Sequence, residues 1–135
     1  MYNLLKNKYP NKNIIKQYYN KDIFGKKRID FFIEEDKIAI EYQGMQHFKP
    51  IDFFGGDKEF LKLQKRDKIK HKECLQNSIT LLYFSFEKNE YTQNYIDKVY
   101  NNIQDLYKAI DVCIKKKESK KITLFFFFIQ ISLEY

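Results

Sequence analysis

Apolar and polar positions alternate along one part of this chain and recur every three or four residues along others, and each change of period marks an element. The clearest alternation is Ile29-Asp30-Phe31-Phe32-Ile33 and Ile38-Ala39-Ile40-Glu41-Tyr42, two β-branched and aromatic runs separated by the polar Glu34-Glu35-Asp36-Lys37. This predicts a hairpin. A symmetric turn pairs Ile33 with Ile38, Phe32 with Ala39 and Phe31 with Ile40, and sets Asp30 opposite Glu41. One face then carries Ile29, Phe31, Ile33, Ile38, Ile40 and Tyr42, and the other Arg28, Asp30, Phe32, Ala39, Glu41 and Gln43. Upstream, residues 2–8 read as a short helix ended by Pro10, residues 14–19 as a first strand and residues 22–27 as a turn. Downstream, residues 44–56 form a loop marked by Pro50 and Gly55-Gly56, with Asp57 placed to cap a helix over residues 58–76. Its stripe is Phe60, Leu63, Asp67, Lys70 and Cys74, so two charges interrupt an otherwise inward face. Residues 79–86 are a nearly continuous apolar run, expected as a central strand covered on both faces. Thr92 is expected to cap a long helix whose inward face is Ile96, Val99, Tyr100, Ile103, Leu106, Tyr107, Ile110 and Cys113. The lysine-rich residues 115–121 read as a solvated helix end. Residues 122–135, with Phe125 to Phe128 in succession, have no periodic assignment: an extra strand, a dimer contact and a surface-seeking segment all remain open.

Composition narrows the function classes. At 135 residues the chain is expected to form one domain over residues 1–121, followed by the apolar tail. Twenty-five Lys and Arg against 18 Asp and Glu give a net charge of +7, which favours a polyanionic partner. Cys74 and Cys113 are distant and neither lies in a CxxC pair, which argues against a zinc knuckle or a disulfide framework and for a reducing compartment. The N-terminal residues lack the apolar core of a signal peptide, and the run 122–133, broken by Gln130, is too short to span a bilayer. The expectation is a cytoplasmic location, with a nucleoid or viral replication site also consistent, and no membrane partner.

The chemistry centres on the two facing acids. Like charges opposite each other in a ladder repel, unless a cation sits between them or one is protonated. Two carboxylates and a strand carbonyl are the oxygen ligands that Mg²⁺ prefers, so Asp30, Glu41 and the Tyr42 carbonyl form a candidate metal site; Mn²⁺ would serve as well. The alternative is a solvated hairpin edge bridged by Arg28. Cleavage of a phosphodiester needs a cation, an activated water and a group for developing charge. Gln43, two residues beyond Glu41, can hydrogen-bond a water but supplies no charge. Lys70 could supply it, although Asp67 and Lys70 could equally form a local salt bridge on the helix. His47, after Gln46, is a candidate acid, base or phosphate ligand, or else both residues tie down the loop. Arg28, Gln46, Arg66, Lys68 and Lys72 are candidates for contacts to nucleic acid, and His71 reads as a surface residue.

The ordered set Arg28-Ile29-Asp30, Ile40-Glu41-Tyr42-Gln43-Gly44-Met45-Gln46-His47-Phe48, Phe53-Phe54-Gly55-Gly56, Arg66-Asp67-Lys68 with Lys70 and Cys74, and Ile79-Thr80-Leu81-Leu82 resembles the PD-(D/E)xK nuclease superfamily. Within it the likeness is to small single-domain proteins related to very-short-patch-repair, phage and homing-type endonucleases. The resemblance implies an α/β restriction-endonuclease-like core, a mixed β-sheet flanked by helices, with Asp30 and Glu41 as metal ligands and Gln43 at the place of the usual lysine. Ile29 stands where that superfamily often has proline, and the first helix offers no matching Glu. The expected function is a Mg²⁺-dependent DNA endonuclease, acting as a monomer that nicks one strand or a homodimer that breaks both. The competing readings are a catalytically silent nucleic-acid-binding module with the same fold, and an interaction protein that assembles through its phenylalanine tail.

Overall fold

In the computed structural model of the chain, the structure describes residues 1–87, 92 and 95–133. The hairpin forms as its alternation dictates: β2 (Ile29–Ile33) and β3 (Ile38–Tyr42) pair antiparallel with Phe31 on Ile40, Phe32 on Ala39 and Ile33 on Ile38. Its turn is pinned from outside, because Lys12 makes an ion pair with Asp36 at 2.8 Å and the Asn13 side chain bonds Glu34. β1 (Ile14–Tyr18) adds antiparallel to β2, while β4 (Thr80–Phe84) adds parallel to β3 and β5 (Val99–Tyr100) parallel to β4. The sheet is therefore mixed and ordered β1-β2-β3-β4-β5. Parallel pairing of β3 with β4 requires a crossover, which α3 (Gly56–Gln76) supplies.

Both faces of the sheet are covered. On one, α1 (Tyr2–Lys8) and the first turns of α4 (Ile103–Leu133) bring Leu5, Leu106, Tyr107 and Ile110 onto Ile14, Ile33, Ile38, Ile40 and Phe84. On the other, α2 (Lys21–Phe24) and α3 bring Phe24 and Cys74 onto Phe32, Ala39, Leu81 and Tyr83. The molecule is thus a mixed α/β fold, a five-stranded sheet between helical layers. Asp30 and Glu41 belong by alternation to the face under α3.

Several expected details change. Ile29 packs in the α3-side cluster, because α2 lays Phe24 over the start of β2. The predicted 22–27 turn holds α2, whose first N–H groups bond the Asn20 side chain. Asp57 is not a cap but lies in the first turn of α3, favourable beside the helix N-terminus. The helix opens at Gly55 with φ 94°, where a Cβ would run into Glu59. β4 is covered on both sides, yet it lies next to the edge strand, and β3 is central. Val99 and Tyr100 extend the sheet beside Tyr83 and Phe84 and do not start a helix at Thr92. The helix begins at Ile103, with the Asn102 side chain accepting from the Gln104 N–H at 2.7 Å. α4 runs unbroken through residues 115–121 and the apolar segment up to Leu133. No helix among the described residues is long and apolar enough to cross a membrane.

Candidate active site

β2 and β3 bring Asp30 and Glu41 close enough for the Asp30 charge to bear on the Glu41 carboxyl. The two are not equivalent. Asp30 is half-buried and both its oxygens are engaged, Oδ2 by the Tyr42 N–H at 2.9 Å and Oδ1 by the Gln17 side chain at 3.1 Å. Glu41 is only 5% exposed. Burial pushes its carboxyl up to about 8, Lys70 pulls the other way, and the neighbouring Asp30 charge adds to the rise. Lys70, reaching in from α3, places Nζ 2.7 Å from Glu41 Oε1. Asp67 and Lys70 do not pair with each other: both charges that interrupt the inward stripe of α3 are used, and for different partners.

One helical turn before Lys70, Asp67 anchors a second network. Its Oδ2 accepts from the Tyr95 hydroxyl at 2.7 Å and faces His47 Nδ1 at 2.7 Å, and the Gln43 amide donates to Tyr95 at 2.7 Å. The directions are forced. Tyr95 spends its one proton on Asp67, so it can only accept from Gln43, whose Nε2 must therefore face it. That leaves Gln43 Oε1, on a side chain 2% exposed, with no hydrogen-bond partner among the described residues. An ionised Asp67 only accepts, so His47 carries a proton on Nδ1 and directs Nε2 elsewhere. The bond also fastens the loop to α3. Burial first, then the Asp67 charge, raise the Tyr95 phenol far above its ordinary range. Tyr95→Phe leaves both Asp67 and Gln43 short of a partner and is expected to cost about 2 kcal/mol of stability. Urea unfolding checks it, and an unchanged midpoint would mean that the network is not sustained in solution.

Around the acids the surface is cationic. Lys26, Lys27, Arg28, Arg66 and Lys70 line a cavity of about 470 Å³. Lys27 is tied to Glu73 at 2.9 Å, and Arg28 lies over the Tyr19 ring and bonds the Gln17 carbonyl. Arg66 also lines a smaller depression with Gln46, beside the loop. Lys68 and Lys72 are exposed and, at roughly 100° per residue, lie on the flank of α3 away from Lys70. Tyr42 contributes its backbone at the strand end, its ring directed to Phe84 and Phe86. His71, expected at the surface, is half-buried and stacked on Tyr83, with Nδ1 3.0 Å from the phenol.

Asp30 and Glu41 are the residues that could hold a divalent cation. A buried carboxyl whose proton affinity is raised by burial and by a neighbouring acid would gain from exchanging a proton for a metal. Among the described residues no three His, Cys, Asp or Glu side chains gather at one point, so the donor set would be this pair completed by backbone and water oxygens. Sequence reasoning missed Tyr95, Gln17, Lys26 and Lys27. The run Lys26-Lys27-Arg28 beside the hairpin was a usable signal.

No family model matches the chain, and no solved structure matches it significantly. Over 55 residues it is 40% identical to the uncharacterized protein 307L of Invertebrate iridescent virus 6, a similarity that covers 40% of this chain and 28% of the viral protein.

Proposed function

We propose that this protein is a Mg²⁺-dependent DNA endonuclease with a site of the PD-(D/E)xK type, built on a restriction-endonuclease-like core. The observation that carries the reading is the Asp30–Glu41 couple with Lys70 2.7 Å from Glu41: the cation missing at Gln43 arrives from α3. Asp30 and Glu41 would hold the metal, together with the Tyr42 carbonyl. Bound there, Mg²⁺ would polarise the scissile phosphate and ease deprotonation of water. Gln43 Oε1, without a donor among the described residues, would accept a hydrogen bond from the attacking water. Lys70 faces the charge that develops on the phosphate. His47, oriented by Asp67, moves a proton at Nε2. The basic cavity receives the neighbouring phosphates of the strand.

Incubating the protein with supercoiled and single-stranded DNA tests this, with Mg²⁺, Mn²⁺ or EDTA. Nicking or cleavage that EDTA abolishes is expected. Binding without cutting under any divalent ion would replace the proposal with the silent binding module, a reading favoured by the engagement of Gln43 with Tyr95 and of Lys70 with Glu41. Lys26→Ala and Arg66→Ala should each weaken binding evenly across DNA sequences and reduce the salt slope of log affinity by about 1. Slopes unchanged in a titration of salt would remove the cavity from the DNA path.

A further inference from the structure

We propose that the distal part of α4 is a docking helix for anionic membrane surfaces, its apolar turns entering one leaflet while the lysines before them meet the headgroups. α4 packs on the sheet through Leu106, Tyr107 and Ile110, and by residue 118 every side chain is exposed. The exposed stretch has two chemically distinct parts. Lys115, Lys116, Lys120 and Lys121 are exposed, with Glu118 the single acid among them. The next 12 residues, up to Leu133, carry no charge.

The apolar surface has no preferred face. Phe125, Phe126, Phe127 and Phe128 are each 58–65% exposed and, at roughly 100° per residue, point around the whole circumference. A core-facing helix shows a stripe, whereas a helix apolar all round belongs inside an apolar medium. A second copy laid alongside would cover one flank and leave the opposite rings in water. A parallel bundle would crowd the lysines together. Hydrocarbon covers all sides at once, and the lysines at one end complement anionic headgroups.

The two hydroxyl side chains of the segment agree with this. Ser132 Oγ donates within its own helix, to the Phe128 carbonyl at 2.7 Å or the Ile129 carbonyl at 3.0 Å, and Thr123 Oγ1 donates to the Ser119 carbonyl at 3.0 Å. Hydroxyls are satisfied this way where water is absent. Twelve residues of helix measure about 18 Å, short of the roughly 30 Å hydrocarbon core, and Glu134 follows at once, so the segment cannot cross and would lie at a shallow angle beneath the headgroups of one leaflet.

Flotation of the full chain with vesicles tests the proposal. It should float with phosphatidylcholine vesicles containing about a third phosphatidylserine, and much less with phosphatidylcholine alone. Lys120→Glu with Lys121→Glu should weaken anionic-vesicle binding by about thirtyfold or more. Phe125→Glu with Phe127→Glu should abolish it. None of these side chains touches the core, so unchanged circular dichroism and melting would show that the variants fold, and Asp30→Asn should float like the parent. Failure to float with either vesicle would overturn the proposal. So would equal binding to both vesicles, or self-association that the phenylalanine variant abolishes in a chain that binds no lipid.

Discussion

Asp30→Asn is expected to lower Mg²⁺-dependent nicking more than about 100-fold, the upper end of what changes behind a metal ligand cost, while leaving fold and DNA affinity nearly intact. The substitution keeps an oxygen for the Tyr42 N–H, and Gln17 can turn its amide to present an acceptor to the new NH₂ group. What disappears is the charge next to Glu41. Activity should therefore fall while melting temperature and the EDTA-state binding curve hold. Glu41→Gln should have an equally large effect, since it removes the other carboxylate but keeps an acceptor for Lys70 at 2.7 Å. A plasmid-nicking time course, with binding measured on the same preparations, separates loss of chemistry from loss of folding. If Asp30→Asn nicks at the parental rate, the Asp30–Glu41 pair is not the site of cleavage.

The parts of the fold that sequence made legible are those where side-chain period and burial are tied together. A one-residue slip in the hairpin would drive Ile33, Ile38 and Ile40 out of the core, so the alternation fixes the register observed. The 21-residue α3 was readable for the same reason at the helical period. β5 was not, because Val99 and Tyr100 satisfy a strand pattern and also fall on the stripe of a long helix. Only their pairing with Tyr83 and Phe84, distant in sequence, decides between the two. The phenylalanine segment is helical although aromatic residues favour strands. It continues a helix already nucleated at Asn102 and needs no new start.

The site was legible wherever a charge occupied a position that the pattern reserves for apolar groups. Glu41 inside β3, and Asp67 and Lys70 inside the inward stripe of α3, carry that signal, and each has a partner within hydrogen-bond distance. Tyr95 carries none. A tyrosine is unremarkable in a chain with 11 of them, and its position between Gln43 and Asp67 depends on a connection whose path no local period encodes. His71 was misplaced for a related reason: it lies beside the stripe, and only the Tyr83 ring on the adjacent strand draws it inward.

The burial of Glu41 should make the metal-free protein lose stability as pH rises through neutrality. Its carboxyl is pushed up to about 8, chiefly by burial, against a reference value of 4.5. Between these values the folded chain holds a proton that the unfolded chain has released, so unfolding is favoured as pH climbs. The contribution is complete below the unfolded value and falls by about 1.4 kcal/mol per pH unit until Glu41 ionises in the fold. Lys70 and Asp30 face the group directly, and Tyr83 and Cys74 lie close to it. Both of the latter are raised by burial, Cys74 to about 12, so they stay neutral in this window. The comparison is with Glu41→Gln in EDTA, which retains every other titratable group. The difference in unfolding free energy between parent and variant should shift by a few kcal/mol towards the variant between about pH 5 and pH 8. With Mg²⁺ present the acid would exchange its proton for the cation, so the slope should flatten and proton release should be measurable in weakly buffered calorimetry. A difference that stays constant across that range would mean that Glu41 is already ionised at its ion pair with Lys70, and that the couple can take up a metal without first losing a proton.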